Sequence, residues 1–272
     1  MIAIFDSGYG GLTIFSAIRR RLPQYDYVYL GDNARAPYGT RSFDVVYRFT
    51  LQAVKSMLDM GADLIILACN TASAKALRTI QQHDLPLLDP SGRKRVLGII
   101  RPSAEALGKF TTSRRVGILA TQGTVSSESY IIEMQHLWPD IKVYQQACPL
   151  WVPIVENGEF DKPGADYFVH QYTSRLMSQC PDIDAVMMGC THYPLLAPKI
   201  QAELPAGVKL LSQGDIVADS LADYLSRHPE IDSRLNRGAT SHFFTTESPD
   251  KFAGTAAIFF GGDLDVKHVE IG

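Results

Sequence analysis

The sequence contains no long hydrophobic segment. Its longest apolar run, Leu64 to Cys69, is far shorter than the roughly 20 residues that cross a bilayer as a helix. The chain reaches Asp6 after only five residues, with no basic stretch and no apolar core typical of a signal peptide. We therefore expect a soluble, cytoplasmic protein with no membrane partner.

Cysteine is scarce and charge is nearly balanced. Four cysteines among 272 residues do not build a disulfide-rich fold, and the absence of any Cys-x-x-Cys pair disfavours a structural zinc site. The formal net charge is −3, so no nucleic-acid partner is expected. In a reducing compartment, each cysteine is then either a small buried hydrophobe or a chemical group.

Short apolar runs alternate with helical patterns along the whole chain. This alternation predicts an α/β fold with mostly parallel sheets flanked by helices. The carboxyl ends of parallel strands meet at one edge of a sheet, where such folds bind ligands. The runs interpreted as strands are Ile2–Phe5, Tyr27–Leu30, Leu64–Leu67, Val96–Ile99, Val116–Leu119, Val143–Gln145, Ala185–Met188 and Val208–Leu211.

Two kinds of strand-to-helix turn each occur twice. A strand leads into a small polar turn at Ile4–Gly8 and at Ile118–Thr124, and a strand leads into a cysteine followed by polar residues at Leu64–Thr71 and Ala185–His192. The number of residues from the polar turn to the cysteine turn is similar in the two halves of the chain. The pattern predicts two similar lobes related by a pseudo-twofold axis, with the active site in the cleft between them.

The turn-rich segment Leu87–Arg95 is interpreted as the crossing between these lobes. We assign residues 1–95 plus 208–272 to the first lobe and residues 96–207 to the second. The tail from about residue 208 is expected to add further strand and helix to the first lobe.

Cys69 and Cys190 occupy matching positions in the two cysteine turns. Each precedes a predicted helix, whose unpaired N–H groups and partial positive charge favour a thiolate, so we expect both thiol pKa values to be lowered toward neutrality. One such cysteine is more often a core residue, but a matched pair indicates two acid/base groups on opposite faces of one bound molecule. Cys148 and Cys180, which each precede a proline, are interpreted as core residues.

Polar side chains accompany both cysteines. His192 follows Cys190 by two residues and is a candidate proton-transfer partner. Asp6, at the end of the first strand, is a candidate for the same role beside Cys69. Glu156 follows an apolar stretch and fits a solvated helix end as well as a position in the cleft.

Two glycine-containing loops follow predicted strands. Asp6–Gly11 matches neither a Walker sequence nor the Gly-x-Gly-x-x-Gly pattern, so we interpret it as a tight turn that directs Asp6 and Ser7 into the cleft. In the second loop, Gly31–Gly39, the Pro-Tyr-Gly end favours a fixed turn with exposed backbone N–H groups. Asp32 and Asn33 in this loop also fit a turn or helix-cap role.

Four motifs in this order resemble the glutamate racemase family: Asp-Ser-Gly-x-Gly-Gly-Leu at 6–12, Gly-Asp-x4-Pro-Tyr-Gly at 31–39, Ala-Cys-Asn-Thr-Ala at 68–72 and Gly-Cys-Thr-His-Tyr-Pro at 189–194. The resemblance spans nearly the whole chain. It implies a cytoplasmic bacterial isomerase that interconverts L- and D-glutamate and supplies D-glutamate for peptidoglycan. It also implies no pyridoxal phosphate or other cofactor, no metal and, commonly, a homodimer.

The resemblance assigns roles position by position. Cys69 and Cys190 match the family's two catalytic cysteines, the first acting on the D-form. Asp6 and His192 match the groups that assist them, and Glu156 resembles a further acidic residue near the second cysteine. The positions that match substrate contacts are Ser7, Pro37, Tyr38, Gly39, Asn70, Thr71, Thr121, Thr124 and Thr191.

Three segments depart from the family's pattern. Arg101-Pro-Ser103 stands where an acidic residue, Pro and Gly are more usual, and Leu211-Ser-Gln-Gly214 replaces a more usual Asp-Ser. The loop Asp89–Lys94 is longer than usual. These departures concern loop geometry and regulation more than the type of reaction.

Four other functions stay open at this point. The nearest is aspartate racemase or another two-cysteine isomerase of the same family. A cysteine hydrolase would use Cys190 as nucleophile and His192 as base, which leaves Cys69 unexplained. The others are a non-catalytic two-lobed amino-acid binder and a metal site built from Asp6, His192 and the two cysteines.

Overall fold

The computed structural model describes residues 1–262 and 264–272 and contains two parallel β-sheets. Every strand pair in both sheets is parallel. The strands are β1 (Ile2–Asp6), β2 (Tyr27–Gly31), β3 (Leu64–Leu67), β4 (Arg95–Gly98), β5 (Arg115–Ala120), β6 (Lys142–Ala147), β7 (Ala185–Gly189), β8 (Lys209–Leu211), β9 (Ser241–Thr245) and β10 (Val266–His268).

Helices cover both faces of the sheets. They are α1 (Gly11–Arg21), α2 (Phe43–Asp59), α3 (Asn70–Lys75), α4 (Leu77–Thr79), α5 (Leu85–Leu88), α6 (Ile100–Phe110), α7 (Gln122–Ser126), α8 (Ser129–Leu137), α9 (Trp151–Glu156), α10 (Pro163–Gln179), α11 (Ala197–Glu203), α12 (Gln213–Arg227), α13 (Pro229–Asp232) and α14 (Pro249–Phe260). Short turns of 3₁₀ or π geometry lie at Asn33–Arg35, Ile80–Asp84 and Tyr193–Leu196. Within the described ranges, no helix combines the length and apolar character needed to traverse a bilayer.

Four strands of the first sheet have the same order as the four strands of the second sheet. The first runs β10-β9-β2-β1-β3-β4 and the second β6-β5-β7-β8, so β2-β1-β3-β4 corresponds to β6-β5-β7-β8. The predicted α/β class and the predicted repeat are confirmed by this correspondence. It makes β3 and β7, the strands that precede Cys69 and Cys190, equivalent.

The central strands are buried along their full length. Every residue of β1, β2, β3 and β7 is buried, because both faces of each sheet are covered by helices. Side chains on one face of the first sheet, such as Phe5 and Leu67, pack with α2 residues such as Val54 in one apolar cluster. This rigid core fixes the strand ends from which the cleft loops extend.

Two strands join a different sheet from the one that the predicted lobe boundaries imply. Arg95–Gly98 pairs with β3 in the first sheet, although residues from 96 onward were assigned to the second lobe. Lys209–Leu211 pairs with β7 in the second sheet, and the chain returns to the first sheet only with β9 and β10. Short apolar runs carry no signal for which sheet they join, so we propose the two-lobe division with crossings after residues 98 and 211.

Candidate active site

Six loops, three from each sheet, surround one pocket. They follow β1, β2 and β3 in the first sheet and the equivalent β5, β6 and β7 in the second. The lining residues are Ser7, Ala36, Pro37, Tyr38, Gly39, Thr40, Cys69, Asn70, Thr71, Thr121, Gln122, Cys148, Pro149, Val152, Pro153, Glu156, Cys190, Thr191 and His192. The structure therefore brings together all the predicted site residues except Asp6 and Thr124, which lie behind the pocket wall.

Cys69 is held at the carboxyl end of β3, where it caps α3. Its thiol donates to Ser7 Oγ at 3.4 Å, and the Ala72 N–H donates to Cys69 Sγ at 3.5 Å. Burial, reinforced by the negative charge of Asp6, raises the pKa of the Cys69 thiol to about 12, although the hydrogen bonds that Cys69 makes with Ser7 and Ala72 oppose this shift. The predicted lowering of this pKa is wrong, because desolvation of the thiolate outweighs the short helix that Cys69 caps.

Asp6 is a fully buried carboxyl group beneath the pocket. Its Oδ2 accepts a hydrogen bond from the Gly8 N–H at 2.8 Å, and its Oδ1 has no hydrogen-bond partner among the described residues. Burial raises the Asp6 pKa, whereas the positive charge of His192 and backbone N–H groups oppose that rise. A carboxyl group with a raised pKa and a free oxygen is equipped to exchange a proton.

His192 links Cys190 to Glu156. Its Nδ1 lies 3.8 Å from Cys190 Sγ, and its Nε2 lies 2.8 Å from Glu156 Oε1. Burial alone lowers the His192 pKa, but the hydrogen bonds to Cys190 and Glu156, together with their negative charges, raise it to about 10. The raised pKa favours the imidazolium form of the ring, in which Nε2–H donates to Glu156.

Threonine hydroxyls form one wall of the pocket. Thr71 Oγ1 lies 3.0 Å from Thr121 Oγ1 and 3.4 Å from Thr124 Oγ1, and the Thr121 hydroxyl donates to Thr124 Oγ1 at 3.1 Å. This hydroxyl cluster joins loops from both sheets. Among the described residues that line the pocket, none is a lysine or an arginine, so hydroxyl and backbone N–H groups are the donors available to an anionic ligand.

Asp32 anchors the loop that carries Tyr38. Its buried carboxylate accepts hydrogen bonds from the Tyr38 hydroxyl, from Arg35 Nε at 2.8 Å and from the Thr246 hydroxyl at 2.8 Å. The Asp32 side chain makes no helix-cap hydrogen bond. Sequence reasoning missed this anchor, because its partner Thr246 is 214 residues away.

Replacing Asp32 with Asn keeps the volume of the side chain but removes its charge. We expect the variant to be less stable by about 1–3 kcal/mol, because charged hydrogen bonds contribute about that much, and to bind a ligand of the pocket about 10-fold more weakly as the Tyr38 loop loosens. Thermal melts and ligand titrations measure the two effects. Asp44→Asn, an exposed position at the start of α2, is the control; equal behaviour of the two variants would contradict the anchor.

Two buried thiols at equivalent strand ends thus line one pocket. The family model for Asp/Glu/hydantoin racemases matches residues 13–221 of this chain. The chain belongs to that racemase family. The resemblance to glutamate racemases inferred from the four motifs is thereby confirmed at the level of the family.

Individual relatives in this family are similar over almost their full length. A glutamate racemase of Dinoroseobacter shibae is 41% identical over 279 aligned residues, covering 99% of this chain and 98% of that protein. The solved structure of a glutamate racemase from Bacillus anthracis superposes with a TM-score of 0.88 at 34% identity, covering 100% of this chain and 97% of that one. The glutamate racemase of Francisella tularensis, solved with D-glutamate, superposes with a TM-score of 0.85 at 29% identity, covering 99% and 97% of the two chains.

Some pocket residues of this racemase-family chain were not found from the sequence. Cys148 is fully buried, as expected of a core residue, yet it also lines the pocket beside Pro149. The strand before it, β6, extends to Ala147, two residues beyond the predicted end. With the strand drawn to its full length, the strand-end rule that selected Cys69 and Cys190 also places Cys148 at the pocket.

Proposed function

We propose that this chain is a glutamate racemase in which Cys69 and Cys190 are the two catalytic acid/base groups. The observation that carries the proposal is the pair of buried thiols at equivalent strand ends of two equivalent sheets, lining one pocket. Inverting a stereocentre by proton transfer requires removal of a proton from one face and delivery to the other. Two opposed thiols meet that requirement directly.

The two thiols differ in their surroundings. The His192 imidazolium lies against Cys190 Sγ and stabilises negative charge on that sulfur. Cys69, with a thiol pKa of about 12, begins as the neutral acid. In the direction from L- to D-glutamate, Cys190 removes the α-proton and Cys69 delivers a proton to the opposite face.

The reverse direction requires Cys69 to lose its proton. We propose that Asp6 accepts it, because its buried carboxyl has a raised pKa and an unpartnered oxygen. The negative charge of Asp6 is felt at Cys69, where it raises the thiol pKa. Asp6 and His192 are thus the proton-transfer partners of the two thiols, and Glu156 holds His192 in its charged form.

The substrate is held by neutral donors. We propose that the hydroxyls of Thr71, Thr121 and Thr191, the Ser7 hydroxyl and the backbone of the Pro37–Gly39 turn receive the two carboxylates and the charge that develops beside the α-carbon. Thr124 supports this wall from behind. The mechanism uses only side chains and backbone of the protein, so neither pyridoxal phosphate nor a metal is part of the proposal.

Glutamate as substrate is supported by the relatives, which are named as glutamate racemases. The test is to incubate metal-free protein, without added cofactor, with L-glutamate or L-aspartate and to separate the enantiomers on a chiral column. D-glutamate should accumulate until both enantiomers are equal, because their free energies are identical. Turnover of aspartate alone would move the assignment to aspartate racemase.

We further propose that the protein is cytoplasmic and forms a homodimer. Sedimentation equilibrium would test whether it is a dimer.

Replacing Glu156 with Gln should move the alkaline limb of the pH profile to lower pH. Glu156 raises the His192 pKa from 6.5 to about 10 together with Cys190, so the charged form of His192 is complete below pH 6.5 and is lost as pH rises through about 10. Without the carboxylate, kcat/KM should begin to fall at a pH at least about one unit lower than in the wild type. Glu159→Gln, three residues along the chain, is the control, and an alkaline limb that stays in place in Glu156→Gln would contradict the role of Glu156.

A further inference from the structure

Gln213 is the centre of a buried hydrogen-bond network behind the pocket. Its Oε1 accepts from Asn70 Nδ2 at 2.6 Å, and its Nε2 donates to Ser103 Oγ at 2.7 Å, with Tyr130 Oη at 3.0 Å and Asn70 Oδ1 at 3.2 Å also within reach. The Tyr130 hydroxyl donates to Asn70 Oδ1 at 2.9 Å. All four side chains are at most 2% exposed, so each hydrogen bond is made without competition from water.

The network joins elements that belong to different sheets. Asn70 begins α3, directly after Cys69 and β3 of the first sheet, whereas Ser103 and Tyr130 lie on α6 and α8, which pack with the second sheet. Gln213 is the first residue of α12, directly after the last strand of the second sheet. The network therefore ties the segment that carries Cys69 to the half of the molecule that carries Cys190.

A second set of contacts between the two sheets is made by Thr71, the residue after Asn70. Thr71 is within hydrogen-bond distance of Thr121 and Thr124, which follow β5 of the second sheet. Thr71 faces the pocket, whereas the Asn70 amide is turned into the network and has partners at both its nitrogen and its oxygen. Asn70 lines the pocket, while its side-chain amide holds the loop that follows Cys69.

We propose that Gln213 is a positioning residue, which through Asn70 sets the place of Cys69 relative to Cys190. This inference rests on the proposed two-thiol reaction, in which both sulfur atoms must be aligned with one α-carbon. A displacement of about 1 Å caused by a change remote from the reacting atoms can cost about 100-fold in rate. Ser103 and Gln213, which follow strands of different sheets, are direct hydrogen-bond partners of each other.

Gln213→Met tests this role because methionine keeps the length and volume of the side chain but removes its hydrogen bonds. We expect kcat to fall about 10- to 100-fold with KM changing much less. We also expect the rate of iodoacetamide alkylation at Cys69, followed by peptide mass spectrometry from pH 6 to 10, to change while that at Cys190 stays the same. Tyr130→Phe, which removes one donor to Asn70, should show the same pattern more weakly.

The control is Gln81→Met, which removes an amide that donates to the Val96 carbonyl at 2.7 Å, away from the pocket. It should leave kcat and both alkylation profiles unchanged. If Gln213→Met changes the alkylation rates of both thiols equally, or changes neither rate, the positioning role is wrong. The alkylation readout does not need glutamate turnover, so a wild-type protein inactive on glutamate would reject the proposed function while the placement of Cys69 is still measured.

Discussion

Replacing either Cys69 or Cys190 with serine is expected to lower the rate of glutamate racemisation by about 10³-fold or more, in line with the loss of a general acid or base. Serine keeps the size of the side chain, but its hydroxyl ionises far less readily than a thiol. Because each direction of the reaction uses both groups, each single variant should fail in both directions. Initial rates from L- and from D-glutamate, measured by chiral chromatography, give the result.

Cys180→Ser is the matched control for these variants. Cys180 is also a buried free cysteine, but it lies at the end of α10 and not among the pocket residues. It should keep the wild-type rate. A Cys69→Ser or Cys190→Ser protein that retains a tenth of the wild-type activity would contradict the assignment of that thiol.

Replacing Gly10 with Ala should damage both folding and catalysis. A Cβ at this position would lie within 3 Å of Thr191 Oγ1 and of His192 Nδ1, so the first glycine loop packs directly against the cysteine turn of the second sheet. Forcing a methyl group into such a contact costs typically about 1–3 kcal/mol. Because the clash falls on the ring that supports Cys190, we also expect kcat to fall about 100-fold. Thermal melts and steady-state rates measure the two effects.

Gly164→Ala is the control for Gly10→Ala. Gly164 lies in the first turn of the exposed start of α10, and a Cβ there meets nothing within 4 Å. Alanine is favoured over glycine in a helix by about 0.5–1 kcal/mol, so this variant should be as stable as the wild type or slightly more stable, with full activity. Wild-type kinetics in Gly10→Ala would mean that the glycine loop does not constrain His192.

The fold followed from the sequence because periodicity reports burial directly. β-Branched and aliphatic runs such as Leu64–Leu67 are buried on both faces and can be read as central parallel strands. The equivalence of two such runs is enough to place Cys69 and Cys190 at matching strand ends. Which sheet Arg95–Gly98 and Lys209–Leu211 join depends on long-range pairing, and that pairing leaves no trace in the local pattern.

The chemistry of individual groups was harder to predict. The pKa of Cys69 depends on how completely the folded chain removes water from the thiol, whereas the sequence shows only the helix start beside it. The pairing of Glu156 with His192, 36 residues apart, and that of Asp32 with Thr246 are likewise tertiary contacts. Asn70 lines the pocket, but only the structure shows that its side-chain amide is hydrogen-bonded to Gln213.

The central claim is that two different groups remove and return the α-proton, and one isotope experiment tests it most directly. The wild-type protein is incubated with L-glutamate in D2O, and both enantiomers are separated at less than about 5% conversion and examined by mass spectrometry. If Cys190 removes the proton and Cys69 delivers another, essentially all D-glutamate carries deuterium at the α-carbon. The remaining L-glutamate should still carry mostly ordinary hydrogen at that carbon. D-glutamate that keeps the original proton would show that a single group transfers it between faces, and would contradict the two-thiol mechanism.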